Sequence, residues 1–241
     1  MKKVALVTGG AKGIGSAIVK RLVNDGYTVA FTYNNSKEKA FELCADMGAN
    51  CTAYKLDITD SNAVKSVVEN IEKNSGEIAI LINNAGIAEQ TLFTDITDEM
   101  WHRMIEANLS GAFYCCRAVL KYMINRKSGK IINISSIWGE TGGSCEVHYS
   151  ASKAGLIGMT KALAKEVGLS GITVNCVSPG VILTDMTSHF DEETINALKG
   201  ETPLNKIGTP EDVAGAVSFL CSKDADFITG QNISVNGGMN I

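Results

Sequence analysis

Thr8-Gly9-Gly10-Ala11-Lys12-Gly13-Ile14-Gly15 is the stretch that decides how this chain folds. An apolar β-rich run from Lys3 to Val7 precedes it, and a helical pattern at 14–25 follows it. Glycines at such a junction let main-chain amides at a helix N-terminus face a phosphate without side chains in the way. A tight turn that merely needs glycine is the alternative, but the strand and the helix around it favour a nucleotide site.

The rest of the chain continues this alternation of short strands and longer helices. Most of the runs are apolar at consecutive positions, as burial under helices on both faces requires. The predicted fold class is α/β, a Rossmann-type doubly wound sheet of seven parallel strands in a single domain over 1–241. The stretch 179–205 is either a mobile flap or a fixed surface loop. Further strands are predicted at 28–33, 51–56, 78–82, 130–134, 173–177 and 232–235, and helices at 14–25, 36–47, 60–74, 97–125, 148–168 and 210–222, with a weak helix near 191–199.

The composition narrows the class of protein. A formal net charge of -4 gives no overall basic field, so nucleic-acid binding is not expected. No stretch approaches the roughly 18 apolar residues of a membrane span, and the apolar start ends at Thr8, too early for a signal peptide. The seven cysteines include no CxxC pair, and adjacent Cys115 and Cys116 have no histidine at metal spacing. These features predict a cytoplasmic protein with reduced thiols and no metal site.

A tyrosine and a lysine four residues apart indicate where chemistry occurs. In Tyr149-Ser150-Ala151-Ser152-Lys153 the phenol and the ammonium lie on one face of the helix after the fifth strand. Ser135 or Ser136 stands at the carboxyl end of that strand, where doubly wound sheets place ligands. Tyr33 and Lys37 have the same four-residue spacing, but they lie on either side of a strand end and therefore do not share a helix face. A cation beside Tyr149 would lower the pKa of the phenol, normally about 10, and suit it to protonate a ketone that accepts hydride.

Three motifs carry a resemblance to a known family. The Thr-Gly-x-x-x-Gly-x-Gly spacing of residues 8–15, Asn83-Asn84-Ala85-Gly86, and Pro179-Gly180-Val181-Ile182-Leu183-Thr184 resemble the short-chain dehydrogenase/reductases, and the likeness spans essentially the whole chain. It implies an NAD(P)-dependent oxidoreductase acting on CH-OH groups. In that family's pattern Tyr149 donates the proton and Lys153 also holds the nicotinamide ribose. Ser136, thirteen residues before the tyrosine, would hydrogen-bond the carbonyl oxygen.

Asn108 looks like the family's helix-kinking asparagine, which positions a relay water. An asparagine in mid-helix is otherwise costly, and a solvent-facing polar residue is the alternative. The resemblance thus implies a catalytic group of Asn108, Ser136, Tyr149 and Lys153.

The residues after the second strand predict which dinucleotide binds. An NAD-preferring site places an acid about 20 residues beyond the glycines, where it would repel a 2′-phosphate. Thr32-Tyr33-Asn34-Asn35-Ser36-Lys37 has no acid, so NADPH is predicted over NADH. By the resemblance, Asp57 would hold the adenine amino group, and Ile182 and Thr184 would meet the nicotinamide carboxamide. The residues expected to bind the cofactor are Gly9, Lys12, Gly13, Ile14, Gly15, Asn34, Ser36, Asp57, Ile58, Asn84, Ala85, Gly86, Tyr149, Lys153, Pro179, Gly180, Ile182 and Thr184.

Within the family, the chain is most similar to the 3-oxoacyl-acyl-carrier-protein reductases of bacterial fatty acid synthesis. Gly129 to Ser136 and Ile228 to Met239 carry this likeness. It implies a ketone substrate on an acidic carrier protein and a homotetramer, with helices 97–125 and 148–168 and the chain end at its interfaces. Basic side chains would recognise the carrier, although a solvated helix face is the alternative. The basic candidates are Arg117, Lys121, Arg126, Lys127 and Lys130.

Other substrates stay open on the residues alone. Trp138, Cys145 and Glu146 stand beside the proposed centre and are expected to contact substrate. Residues 136–149 are similar to reductases that act on a 5-aminopentanone group attached to elongation factor P. Glu140 or Glu146 would suit the amine of such a substrate, and solvent exposure is the alternative. Two further hypotheses remain: a dehydrogenase of hydroxysteroids or other small ketones, and a non-catalytic nucleotide-sensing protein. His148 is expected to be a helix-start residue, with substrate contact as its alternative.

Overall fold

The structure, a computed structural model, describes residues 2–184 and 191–241. Within them, seven parallel strands form one sheet in the order β3-β2-β1-β4-β5-β6-β7. The predicted α/β fold with a doubly wound parallel sheet is therefore confirmed. The strands are β1 (Lys3–Val7), β2 (Thr28–Tyr33), β3 (Cys51–Lys55), β4 (Glu77–Asn83), β5 (Gly129–Ile134), β6 (Ile172–Pro179) and β7 (Asn232–Val235).

Helices connect the strands and cover both faces of the sheet. The segment predicted as one helix at 97–125 is divided by a π-helical turn at Glu106–Ser110. The short helix α6 was not predicted. The possible flap falls partly on 185–190, which lie outside the described residues. The helices are α1 (Gly13–Asn24), α2 (Lys37–Met47), α3 (Ser61–Asn74), α4 (Asp98–Ile105), α5 (Gly111–Arg126), α6 (Trp138–Thr141), α7 (Val147–Val167), α8 (Glu192–Glu201) and α9 (Pro210–Cys221).

The hydrophobic core has two parts, one on each face of the sheet. Ala5 and Val7 of β1 belong to the part that includes α1 and α9, whereas Val4 and Leu6 belong to the part that includes α3, α5 and α7. Successive side chains of a strand point to opposite faces, so a strand covered on both sides must be apolar at consecutive positions. This run of consecutive apolar residues is the pattern from which such strands could be predicted.

The strand order creates the crevice in which the functional residues lie. β1 pairs with both β2 and β4, so the chain crosses over β1 after β3. In open α/β sheets, ligands bind at the carboxyl ends of strands where the order reverses in this way. The loops after β1, β4, β5 and β6 all begin at that edge.

Among the helices of the described residues, none combines the length and the hydrophobicity that a membrane span requires.

Candidate active site

The loop after β1 is fixed to the ends of both neighbouring strands. The Thr8 hydroxyl accepts hydrogen bonds from the main-chain N–H groups of Asn84 and Ala85, each at 3.0 Å. The side-chain amide of Asn84 donates to the carbonyl oxygens of Thr8 and Gly9, each at 3.0 Å. The N–H of Gly9 donates to the hydroxyl of Thr32 at 3.2 Å. Asn84 and Ala85 therefore hold the shape of the loop.

The loop leads into a helix end that suits a pyrophosphate. Lys12 precedes α1 and makes no side-chain capping bond, so no side chain caps the amides of the first turn. Gly9 and Gly13 have φ values of 65° and 53°, in the left-handed region that favours glycine. A Cβ on Gly15 would lie 2.2 Å from the carbonyl oxygen of Gly9. Ile14 packs against the core and anchors the helix start. The loop therefore fits the phosphates of a dinucleotide.

A second uncapped helix start lies beside this loop. Ser36 precedes α2 without a side-chain capping bond, and Asn34 is exposed. A cavity of about 280 Å³ lies between α1 and α2, and its lining includes Lys12, Lys20 and Lys39 as well as the acids Glu42 and Asp46. Amides and ammonium groups at this place would bind a dianionic phosphate.

The predicted adenosine side is formed by the loop after β3. One carboxylate oxygen of Asp57 accepts hydrogen bonds from the N–H and the hydroxyl of Thr59, at 3.0 and 2.7 Å. These bonds, followed by one from Asn34, lower the pKa of Asp57, which keeps it an acceptor. The side chain of Ile58 packs against Gly111, where a Cβ would be 2.7 Å away. Any contact of Ile58 with a nucleotide would therefore involve its main chain.

The segment after β6 returns to the phosphate loop. The Pro179 carbonyl accepts a hydrogen bond from Ile137, and the Gly180 N–H donates to Val235, each at 3.0 Å. Ile182 is buried, with 5% of its surface exposed. The Thr184 methyl group lies 3.6 Å from the position of a Cβ on Gly13. The predicted nicotinamide segment and phosphate loop thus border one cleft.

Tyr149, Ser136 and Lys153 come together at the carboxyl end of β5. The ammonium of Lys153 lies 5.6 Å from the centre of the Tyr149 ring and donates to the carbonyl oxygen of Ile134 at 2.9 Å. The phenol of Tyr149 is within hydrogen-bonding range of the Ser136 side chain. Ser135, the rival serine, instead donates to the carbonyl oxygen of Lys153 at 2.8 Å. The geometry therefore favours Ser136 as the partner of the phenol.

Asn108 lies in the π-helical turn and is buried, with 1% of its surface exposed. Its Oδ1 accepts a hydrogen bond from the N–H of Ile87 at 2.8 Å, and its Nδ2 donates to the Ile87 carbonyl at 2.9 Å. Nδ2 also lies 3.1 Å from the hydroxyl of Ser152, one residue before Lys153. A Cβ on Gly86 would be 2.9 Å from Asn108 Oδ1 and 3.5 Å from Lys153 Nζ. The solvent-facing alternative for Asn108 was therefore wrong.

The expectation that Lys153 lowers the pKa of the phenol was wrong for the chain alone. Burial, the largest cause, raises the pKa of Tyr149; the Ser136 hydrogen bond lowers it in part and the charge of Glu146 raises it, and together these effects bring the pKa to about 12. Burial also lowers the pKa of Lys153 to about 8. Both shifts follow from the cost of holding charge away from water. Tyr149 is consequently held in the protonated form, which a proton donor needs.

The pKa of Lys153 predicts how activity depends on pH. Because its pKa is about 8, the side chain carries a charge below that pH and loses it above. Tyr149 stays protonated up to about pH 12 and sets no limit in this range. We expect kcat/KM for ketone reduction to fall as pH rises through about 8, measured at constant ionic strength between about pH 6 and about pH 10. A flat profile over that range would contradict this assignment.

Two loops frame the open side of the reaction centre and are joined to each other. Cys145 has a left-handed φ of 60°, and its carbonyl accepts a hydrogen bond from Thr91 at 2.8 Å. The Glu146 carboxylate accepts a hydrogen bond from the Gln90 amide at 3.1 Å. Trp138 is half-buried and packs over Gly143, where a Cβ would be 3.0 Å from the indole. The structure thus places these three predicted substrate contacts around the cleft.

The structure does not support a substrate contact for Glu140 or for His148, which was one of the alternatives considered for each. The Glu140 carboxylate accepts hydrogen bonds from three side chains of β7 and the chain end, so it is engaged away from any substrate. His148 is fully buried at the start of α7, and neither ring nitrogen has a hydrogen-bond partner. The prediction of a helix-start residue is confirmed for His148. Ser152, which contacts Asn108, was missed, although its place between Tyr149 and Lys153 was a usable signal.

Comparison with known proteins assigns the family. A family model described as enoyl-(acyl carrier protein) reductase matches residues 9–240. The 3-oxoacyl-[acyl-carrier-protein] reductase FabG of Salmonella typhimurium is 42% identical over 237 residues, covering 98% of this chain and 97% of the relative. The chain belongs to the short-chain dehydrogenase/reductase family. As a short-chain dehydrogenase/reductase, it is an NAD(P)-dependent oxidoreductase, as the sequence predicted.

Other short-chain dehydrogenase/reductases are also similar to this chain over nearly its full length. The 3-oxoacyl-[acyl-carrier-protein] reductase FabG of Staphylococcus aureus is 40% identical over 242 residues, covering 99% of this chain and 98% of the relative. A solved structure described as ElxO with NADP bound superimposes with a TM-score of 0.92 at 35% identity, covering 99% of each chain. The predicted similarity to 3-oxoacyl-acyl-carrier-protein reductases is thereby confirmed.

Proposed function

We propose that the protein is an NADPH-dependent reductase of a ketone, with 3-oxoacyl-acyl-carrier-protein as its substrate. The observation that carries this proposal is the cluster of Tyr149, Ser136, Lys153 and Asn108 beside an open dinucleotide loop. FabG relatives of 40–42% identity over nearly the whole chain support the substrate class. The intact cluster also argues against a non-catalytic nucleotide sensor.

Each residue of the cluster has a task that follows from its position. When bound, NADPH supplies the hydride that reduces the carbonyl carbon. Ser136 and Tyr149 donate hydrogen bonds to the carbonyl oxygen, and these bonds strengthen as negative charge develops on it. Tyr149 then transfers its phenolic proton to that oxygen. Lys153 holds the ribose and supplies positive charge near the phenol, while Asn108 holds the chain around it and positions a relay water.

The preference for NADPH over NADH rests on the residues at the end of β2 and at the start of α1. No acid stands between Thr32 and Lys37, and Lys12 lies beside two uncapped helix starts. A 2′-phosphate carries about two negative charges and would bind such a place. The neighbour described as ElxO with NADP bound supports the same choice.

Part of the predicted basic surface is not available to a carrier protein. Arg126 forms an ion pair with Glu72 at 2.8 Å, and Lys130 forms one with Asp226 at 2.6 Å. Arg117 lies over the ring of Phe113, whose side chain is 44% exposed. The basic residues that we still propose for binding the carrier protein are Arg117, Lys121 and Lys127. The homotetramer, with α4, α5, α7 and the chain end at its interfaces, and the cytoplasmic location belong to the same proposal.

A second candidate substrate is a ketone that carries an amine, as in the 5-aminopentanone group on elongation factor P. Glu146 favours it, because this carboxylate lies close enough to Tyr149 to raise the pKa of the phenol. An ammonium group would be attracted to this charge, whereas an acyl thioester gains nothing from it. Glu140, the other acid considered, no longer supports this candidate because its carboxylate is engaged by β7 and the chain end.

The two candidates are separated by substrate and by one substitution. We expect acetoacetyl-acyl carrier protein to be reduced with NADPH at a kcat/KM at least about tenfold above that with NADH, measured by absorbance of the reduced nicotinamide. Glu146→Gln should leave this rate within about twofold. If a small aminoketone is instead the better substrate, and Glu146→Gln lowers its kcat/KM by about tenfold, the second candidate is correct.

A further inference from the structure

The Glu140 carboxylate joins helix α6 to the edge of the sheet and to the chain end. One carboxylate oxygen accepts hydrogen bonds from the Asn232 amide and the Ser234 hydroxyl, each at 2.7 Å. The other accepts a hydrogen bond from the Asn240 amide at 2.8 Å. Bonds to an ionised carboxylate are stronger than bonds between neutral groups. Three of them on one side chain make Glu140 a clamp between segments about 90 to 100 residues apart.

The chain end held by this clamp also contacts the segment after α8. The Asn236 amide donates to the carbonyl oxygen of Asn240 at 2.9 Å, which folds the tail back on itself. The N–H of Leu204 donates to the Gly237 carbonyl at 3.1 Å. A Cβ on Gly237 would lie 2.6 Å from the Thr202 methyl group, so the tail and this segment are in close contact. The tail therefore rests on residues 202–204 at one end and on Glu140 at the other.

Helix α6 determines where the hydroxyl of Ser136 lies. The Trp138 N–H donates to that hydroxyl at 3.2 Å, and the Gly139 N–H donates to the Ser136 carbonyl at 2.9 Å. A Cβ on Gly139 would be 2.9 Å from the Cβ of Lys153, so α6 also packs directly on the lysine. A shift of α6 would consequently move the Ser136 hydroxyl relative to Tyr149.

We propose that Glu140 is a positioning residue for the reaction. By clamping α6 to β7 and to the chain end, it fixes the Ser136 hydroxyl at the distance from Tyr149 that a ketone oxygen requires. The inference rests on the proposed function, in which Ser136 and Tyr149 both contact that oxygen. A misplacement of about 1 Å at a reacting centre lowers a rate by up to about 100-fold.

A double-mutant cycle with Ser136 tests this role. With acetoacetyl-coenzyme A and NADPH, we expect Glu140→Ala to lower kcat by about tenfold or more in the wild-type background. In the Ser136→Ala background, the same change should lower kcat by less than about twofold, because the hydroxyl that Glu140 positions is gone. The Kd for NADPH should be unchanged in both backgrounds. An equal loss of kcat in both backgrounds, or no loss in either, would overturn the proposal.

Two variants separate positioning from a general loss of structure. Glu140→Gln can accept hydrogen bonds from Asn232 and Ser234 and can donate to a rotated Asn240 amide, so we expect its kcat within about threefold of wild type. Glu69→Ala removes an exposed glutamate of α3, a helix outside the proposed interfaces, and should leave kcat unchanged. If Glu140→Gln is as slow as Glu140→Ala, hydrogen bonding at this place is not the cause. A wild-type chain inactive with every ketone tested would refute the proposed function itself.

Discussion

Replacing Tyr149 by phenylalanine should lower kcat for ketone reduction by about 100-fold to about 10,000-fold, the range for loss of a general acid. The phenol is the only group of the proposed cluster that is held protonated by burial and lies beside Ser136. The Kd for NADPH should stay within about twofold, because the ring remains and only the hydroxyl is removed. Steady-state kinetics with acetoacetyl-acyl carrier protein and a fluorescence titration with NADPH measure the two quantities.

Tyr33→Phe is the matched control for this variant. Tyr33 has the same spacing to a lysine in the sequence, but it is buried at the end of β2 with its ring against Phe41 at 6.3 Å. We expect wild-type kcat from it. Equal losses in Tyr33→Phe and Tyr149→Phe would mean that the effect is not specific to the reaction centre.

Gly15→Ala should weaken NADPH binding by at least about tenfold, equivalent to about 1.4 kcal/mol. The added Cβ would lie 2.2 Å from the Gly9 carbonyl oxygen and 2.6 Å from the Asn84 amide, so the loop must move. Both contacts hold the amides of the loop against the helix end, and overpacking of this kind costs about 1 to 3 kcal/mol of stability. A titration with NADPH and a thermal unfolding curve measure the two effects.

The control for this substitution is Gly200→Ala. Gly200 lies in α8 and has no atom within 4 Å of a Cβ position. Alanine has the higher helix propensity by about 1 kcal/mol in helix interiors, so stability should hold or rise slightly. Unchanged NADPH affinity in Gly15→Ala would show that the loop does not bind the phosphates in the way we describe.

Local patterns explain why so much of the fold was predictable. All seven strands were predicted because each is a short run rich in apolar or β-forming residues. Most of them are buried on both faces, as β1 illustrates, whereas the edge strands β3 and β7 are only partly buried. The four-residue helix α6 was missed because it makes only about one turn of 3.6 residues, too short for a repeating apolar pattern to show. The break at Asn108 came from the resemblance, since one asparagine does not identify a π-helical turn.

The errors in the candidate site concern properties that depend on distant parts of the chain. Glu140 was considered for contact with a substrate amine, with solvent exposure as the alternative, because its actual partners lie 92 to 100 residues away in sequence. Arg126 and Lys130 were candidates for carrier recognition, with a solvated helix face as the alternative, because their acidic partners are also distant in sequence. The predicted direction of the pKa shift of Tyr149 was wrong for the chain alone because burial, the largest cause of the shift, cannot be inferred from a four-residue spacing.

The most direct test of the account is a structure of the chain with NADP⁺ and an unreactive 3-oxoacyl analogue bound. We predict that the Tyr149 and Ser136 hydroxyl oxygens both lie about 2.7 to 3.0 Å from the ketone oxygen, with the ketone carbon against the nicotinamide. A Tyr149 hydroxyl that points away from the nicotinamide, with another group in place to donate the proton, would contradict it.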